Sequence, residues 1–153
     1  MALYLVQHGK SLPKDIDPDQ GLSDEGLTQT ERIAKVARDY GVKVSAIQHS
    51  SKTRARRTAA ILAAALQPEG GTEAIDGIMP LDDVTALAGE LDPQQNLMLV
   101  GHLPFMERLV SFLITGSVEK PVFKFQNSGI VCLDRDPDSQ AWMIVWTLMP
   151  KIG

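Results

Sequence analysis

Apolar residues in this chain fall into two alternating patterns. Leu3-Tyr4-Leu5-Val6 and Leu97 to Val100 are short continuous runs, and Val44 to Gln48 is a third short, mostly apolar stretch. Such runs predict strands covered on both faces, as in a parallel sheet. Elsewhere the apolar positions recur every three or four residues. Leu27, Ile33, Ala34, Ala37 and Tyr40 form one such face. Ala55, Ala59, Leu62, Ala65 and Leu66 form a second, and Val84, Leu87, Ala88 and Leu91 a third. These spacings predict helices with one buried side. The boundary residues agree: Ser23 is placed to N-cap the first helix, with Asp24 and Glu25 in the first turn and Gly41 at the end. The second helix is expected over 52–66, broken by Pro68, Gly70 and Gly71, and the third over about 82–91, with Asp82 and Asp83 at its start. Pro104 is expected at or near the first position of a fourth helix that Gly116 closes.

The last part of the chain differs. Gly129 to Leu133 and Ala141 to Leu148 read as two strands joined through 134–139, an antiparallel hairpin, with Trp142 and Trp146 sharing one face in the core. The whole pattern predicts an α/β protein: a three-layer α/β/α sandwich on a mainly parallel sheet with an antiparallel edge. No repeat, linker or low-complexity tract interrupts it, so residues 1–153 are expected to form a single domain.

Composition narrows the function. With 44% hydrophobic and 22% charged residues the chain is an ordinary globular protein. A net charge of -4 argues against nucleic-acid or membrane-surface binding, since both need a basic footprint. Any anion site must then be local. The single cysteine, Cys132, lies in an apolar stretch and is expected to be a buried thiol. No signal peptide or membrane-length run is visible, and a cytoplasmic location is expected. No cluster has metal-ligand spacing, so no metal and no cofactor are expected.

The candidate chemistry sits at strand ends, where open parallel sheets bind their ligands. The first strand delivers Gln7-His8-Gly9, the second His49-Ser50-Ser51 with Arg54, Arg56 and Arg57 close behind, and the third Gly101-His102. All three histidines of the chain thus follow a strand. A phosphoryl group suits such a place, because it takes arginine forks, imidazole donors and helix N-termini. A neutral imidazole there is also a nucleophile toward phosphorus. Gly9 admits a close backbone approach to a ligand. His49 is expected to be structural or to support a residue that contacts the ligand, and Arg56 and Arg57 to be solvated helix charges.

Gln7-His8-Gly9 resembles the Arg-His-Gly signature of the histidine phosphatase superfamily. The stretch from His49 through Arg54 to Thr58 resembles the segment carrying that family's second arginine, and Gly101-His102-Leu103-Pro104 its second histidine motif. Leu22-Ser23-Asp24-Glu25-Gly26 and Asn127-Ser128-Gly129 are similar to the short SixA-type phosphohistidine phosphatases. The resemblance implies a phosphoglycerate mutase-like fold. It also implies that His8 is the nucleophile, that Arg54 and His102 hold the phosphoryl oxygens, and that Ser128 and Gly129 supply backbone N–H contacts.

One position departs from the family. Its first arginine is Gln7 here, a donor without charge or fork. A charge-assisted hydrogen bond contributes roughly 1.5–3 kcal/mol against about 1 for a neutral one, so phosphate affinity falls about tenfold unless another cation compensates. Lys10, Lys52 and Arg57 are the candidates. A second point concerns the leaving group. Glu69, Glu73, Asp76, Asp82, Asp83, Glu90 and Asp92 lie between Arg54 and His102, but none stands in an acid motif. Imidazole leaves more readily than an alkoxide and needs less proton donation. The expected substrate is therefore a phosphohistidine on a signalling or phosphocarrier protein. Two alternatives stand beside it: a small-molecule phosphomonoesterase, and a non-catalytic phosphate or phosphoprotein binder that lost activity with the arginine.

Overall fold

Leu3, Leu5, Tyr4 and Val6 are all buried, the first pair on one side of the sheet and the second pair on the other. This double burial is why the first strand reads as a continuous apolar run. In the computed structural model, which describes residues 1–152, the strand is β1 (Leu3–Gln7) at the heart of the molecule. It is followed by α1 (Asp24–Asp39), β2 (Ala46–His49), α2 (Thr53–Leu66), β3 (Thr72–Ala74), α3 (Val84–Ala88), β4 (Leu97–Gly101), α4 (Phe105–Thr115), β5 (Ile130–Arg135) and β6 (Trp142–Leu148). The six-stranded sheet runs β3-β2-β4-β1-β5-β6. The first four in that order are parallel, and β5 and β6 are antiparallel to their neighbours.

Two apolar layers close the sandwich. Tyr4, Val6, Ile47, Met98 and Val100 meet Ile33 and Ala37 of α1 and Ala55, Ala59 and Leu62 of α2. Leu3, Leu5 and Leu99 meet Val84 of α3 and Phe105, Leu109 and Val110 of α4. Each such side chain contributes roughly 1.5–3 kcal/mol of transfer free energy. Cys132 is buried as expected, and that burial raises its thiol pKa to about 11. Among the described residues no helix is long and apolar enough to cross a membrane.

Several expectations need correction. The sheet has a sixth strand, β3, whose residues are all exposed; it carries no apolar pattern and is held by backbone pairing to β2. The second strand begins at Ala46 rather than Val44. The third helix is five residues long and stops before Gly89, because Asp92 starts a separate 3₁₀ turn at Pro93–Gln95. Trp142 and Trp146 do not share a face. The register between β5 and β6 slips at Cys132/Leu133, leaving Val145 as the extra residue of a bulge. Trp142 therefore packs with the α3/α4 layer and Trp146 with the α1/α2 layer, where it tilts on Tyr4 at 5.9 Å. Both are half-buried.

Helix α1 shows the most informative difference. Ser23 caps it as expected, accepting a bond from the Gly26 N–H. Leu27 and Tyr40, however, are 37% and 85% exposed. The buried stripe is instead Gly26, Thr30, Ile33, Ala34 and Ala37. Its first two members are small or polar because they face the loop after β1. A methyl group on Gly26 would overlap the Lys10 carbonyl oxygen, which Ser23 already binds through its N–H and its hydroxyl. Gly26→Ala is therefore expected to lower stability by about 2 kcal/mol, since overpacking against backbone exceeds the helix-propensity gain of about 1 kcal/mol. Urea unfolding of the variant measures this; equal or higher stability would refute the contact.

Candidate active site

β2, β4 and β1 are neighbours in the sheet, so their carboxyl ends open side by side. Gln7 pairs with Gly101 and His49 with Val100. The residues just beyond, His8, Ser50 and His102, are brought together by this register. The His8 N–H extends the ladder by donating to the Gly101 carbonyl at 3.0 Å.

The His8 ring is oriented at both nitrogens. Nδ1 lies 2.7 Å from the Gly9 carbonyl, which only accepts, so the ring proton belongs on Nδ1. Nε2 then carries a lone pair and accepts from Arg54 Nε–H at 3.3 Å. Burial, the largest influence, pushes the His8 pKa down to about 4; the Arg54 charge also lowers it, against a raising contribution from the Gly9 bond. The imidazole is thus neutral at pH 7, with its free electron pair on the atom facing the guanidinium. Arg54 reaches it from the first turn of α2. A hydrogen-bonded brace holds the two segments together: the Gly9 N–H donates to Thr58 Oγ1 at 2.8 Å, and that hydroxyl donates to the Arg54 carbonyl at 2.7 Å.

His102 stands beside His8, the ring centroids 5.0 Å apart and the planes tilted by 58°. It is almost fully buried, and its Nε2 lies 2.6 Å from Ser50 Oγ. Burial first, then the charges of His8, Arg54 and Lys52, lower its pKa to about 3. Among the described residues only Gln7 Oε1, His102 Nδ1 and Arg135 Nε are buried side-chain polar atoms without a partner. Two of these three flank His8 at the carboxyl ends of β1 and β4. Buried polar atoms are nearly always paired; of these two, His102 Nδ1 can carry a proton for an anionic ligand, whereas Gln7 Oε1 only accepts.

The remaining candidates divide. Lys52 is exposed, and its charge is the smallest of the influences that lower the His102 pKa. Lys10 does not point its charge at Gln7: its Nζ is paired with Glu25 at 2.7 Å, and Lys151 shares that carboxylate at 3.6 Å. Arg57 packs its guanidinium against Gly21 and acts on Asp17. Gly9 is placed in close approach to protein rather than left open to a ligand, because an added Cβ would meet Thr30 Oγ1 at 2.6 Å and Ser128 Oγ at 3.2 Å. The expected N–H contacts from Ser128 and Gly129 are also committed elsewhere. Ser128 donates to the Gln7 carbonyl at 2.9 Å, and Gly129 to the Gln126 carbonyl at 3.0 Å. Together with Asn127 Nδ2, which donates to the His8 carbonyl at 3.0 Å, this segment braces the backbone of residues 7–8. His49 is buried, with Nδ1 against the Ser50 carbonyl at 2.8 Å, the structural role expected of it.

Three of the seven acids are engaged locally, and Glu69, Glu73, Asp76 and Glu90 are exposed. Asp82 accepts from the Met79 N–H, Asp83 from Thr85 and Asp92 from Gln94. Asp76, Asp82, Asp83 and Glu90 line a cleft of about 600 Å³ beside α3. Ser50, Thr58, Thr30 and Asn127 were not singled out by sequence reasoning as functional positions. Ser50, Thr58 and Asn127 did stand in the segments that carry the family resemblance, Thr58 four residues after Arg54 on the same helical face; Thr30 carried no signal.

Known proteins share this fold. Residues 3–76 match the family model of the histidine phosphatase superfamily (branch 1). An uncharacterized protein from Picosynechococcus sp. is 34% identical over 113 residues, covering 68% of this chain and 67% of that protein. The structure of the protein histidine phosphatase SixA complexed with tungstate superposes with a TM-score of 0.82 at 23% identity, over 98% of this chain and 97% of that one. A structure assigned to phosphohistidine phosphatase SixA from Agrobacterium tumefaciens gives 0.77 at 26% identity, over 97% of both chains. An Escherichia coli structure assigned to an alpha-ribazole-5'-P phosphatase gives 0.75 at 16% identity, over 100% of this chain and 98% of that one. With its sheet order, its paired strand-end histidines and the arginine between them, the chain is a phosphatase that belongs to the histidine phosphatase superfamily.

Proposed function

We propose that this protein hydrolyses phosphohistidine on a partner protein through a phosphorylated enzyme intermediate on His8. The observation that carries the reading is the His8 ring itself, anchored through Nδ1–H to the Gly9 carbonyl with its Nε2 lone pair turned to Arg54. Nε2 attacks phosphorus and forms the new P–N bond while the bond to the substrate imidazole breaks. The departing imidazole keeps that electron pair and takes a proton from solvent. Water then attacks the phosphorylated His8, inorganic phosphate leaves, and Nε2 regains its lone pair. Arg54 and the His102 ring bind the phosphoryl oxygens through both steps, where fixed donors act most strongly.

The disposition of acids supports a phosphohistidine over an alcohol ester. The carboxylates of the β3–α3 region cap local backbone N–H groups or lie exposed, and imidazole departs with little proton donation. The SixA structures are similar over nearly the whole chain, and tungstate bound to one of them is a tetrahedral oxyanion of the kind this site is built to receive. Incubation with a ³²P-phosphohistidine protein tests the proposal. Acid-labile label transferred to wild type and absent from His8→Ala is the expected result; equal labelling of both removes His8 from the role.

Gln7 bears on the alternative of a binding protein without turnover. The carboxamide stands next to His8 with Oε1 buried and unpartnered. Gln7→Arg restores a charged fork and is expected to raise kcat/KM for p-nitrophenyl phosphate about tenfold. No gain would mean that another cation compensates or that the substrate is seated differently.

A further inference from the structure

Ser50 has no part in the steps above, yet it is fully buried and its hydroxyl lies 2.6 Å from Nε2 of His102. The same oxygen accepts from the Lys52 backbone N–H at 3.4 Å. That contact leaves a second lone pair on the oxygen, but among the described residues His102 Nε2 is the acceptor within reach of the buried hydroxyl proton, which is therefore directed at the imidazole. A neutral imidazole has one N–H and one lone pair. If Nε2 accepts from Ser50, the ring proton must sit on Nδ1, the nitrogen left buried and without a protein partner. The opposite tautomer would turn a lone pair toward the oxygens of a bound phosphoryl group and repel them.

We infer that Ser50 is a positioning residue, whose hydroxyl fixes His102 as the Nδ1–H tautomer and aims that N–H at a phosphoryl oxygen. The inference rests on the proposed role of His102 in holding phosphate. It accounts for a serine at this fully buried position just beyond β2, where an apolar residue packs at lower desolvation cost.

Long-range ¹H–¹⁵N spectra of the whole protein test it, with His102 assigned by its loss in His102→Gln. Wild type is expected to show His102 unprotonated at Nε2 and protonated at Nδ1. In Ser50→Ala the proton should move largely to Nε2, and kcat for p-nitrophenyl phosphate should fall about tenfold with KM changed far less. Ser50→Thr, which keeps the hydroxyl, should retain the wild-type tautomer and most of the activity. A wild-type spectrum with the proton on Nε2 overturns the inference without need of any variant, and so does a folded Ser50→Ala protein of undiminished kcat. If wild type turns over no phosphoryl substrate, the phosphatase reading fails separately. The tautomer and the affinity for inorganic phosphate then decide the role of Ser50: about tenfold weaker phosphate binding in Ser50→Ala supports it, and equal binding overturns it.

Discussion

His8→Ala is expected to reduce turnover of both a phosphohistidine protein and p-nitrophenyl phosphate by at least about a thousandfold, the scale on which removal of a nucleophile acts. The substitution removes the side chain whose Nε2 electron pair accepts from the guanidinium of Arg54. It leaves intact the backbone bonds that hold the loop, since Gly101, Asn127 and Ser128 bind the main chain of residue 8 rather than its ring. The variant should therefore fold, and circular dichroism checks that it does. Turnover within tenfold of wild type would show that some other group attacks phosphorus. The wild-type ring also has a signature in solution. Because burial lowers the His8 pKa to about 4, the imidazole is neutral above that pH and loses its lone pair only as pH falls through it. Its C–H resonances in the ligand-free protein should stay constant from pH 8 to pH 5 and shift only below. An ordinary titration near pH 6.5 would contradict the enclosure of the ring.

Arg54→Ala is the second large effect. Removing one fixed donor from an oxyanion site costs about a hundredfold to a thousandfold in kcat, and here the expected loss lies at the upper end. The reason is the charge inventory. Both imidazoles are neutral at pH 7, Gln7 contributes an amide in place of a guanidinium, and Lys10 and Arg57 are turned to Glu25 and Asp17. Arg54 is the permanent charge in hydrogen-bond contact with His8, with Lys52 acting on His102. Arg54→Lys keeps the charge without the planar fork and should recover only part of the loss. Steady-state kinetics on the three proteins measure this; a loss below about threefold in Arg54→Ala would shift the anionic site elsewhere. In the Arg54→Ala background, Gln7→Arg should restore more activity than it adds to wild type, because the two positions supply charge to the same oxygens.

Residues 7–9, 54 and 101–102 were legible from the chain because strand ends and helix starts are written in short local patterns. A continuous apolar run ending in a histidine places that histidine at a strand's carboxyl edge, whatever surrounds it. The groups that brace the site were not legible. Gly26 and Thr30 are a glycine and a polar residue on a face where the helical period calls for apolar ones; they are there because the loop after β1 presses on that face. The N–H groups of Ser128 and Gly129 looked free for phosphate and are bound to the Gln7 and Gln126 carbonyls. The exposed β3 left no apolar trace, and the bulge at Val145 reversed the face of Trp146 without changing the alternation around it.

What the amino-acid sequence determined alone was most of the elements, the α/β class and which candidate side chains stand at strand ends and helix starts, since periodicity, caps and strand-end residues are properties of neighbouring positions. Only the tertiary structure decided which donor meets which acceptor. Ser50 meets His102, Thr58 links Gly9 to Arg54, and Lys10 turns to Glu25 because β2, β4 and β1 lie side by side and α1 and α2 close over them. The direction of a hydrogen bond between residues fifty positions apart depends on the register of the strands between them, and no local pattern encodes that register.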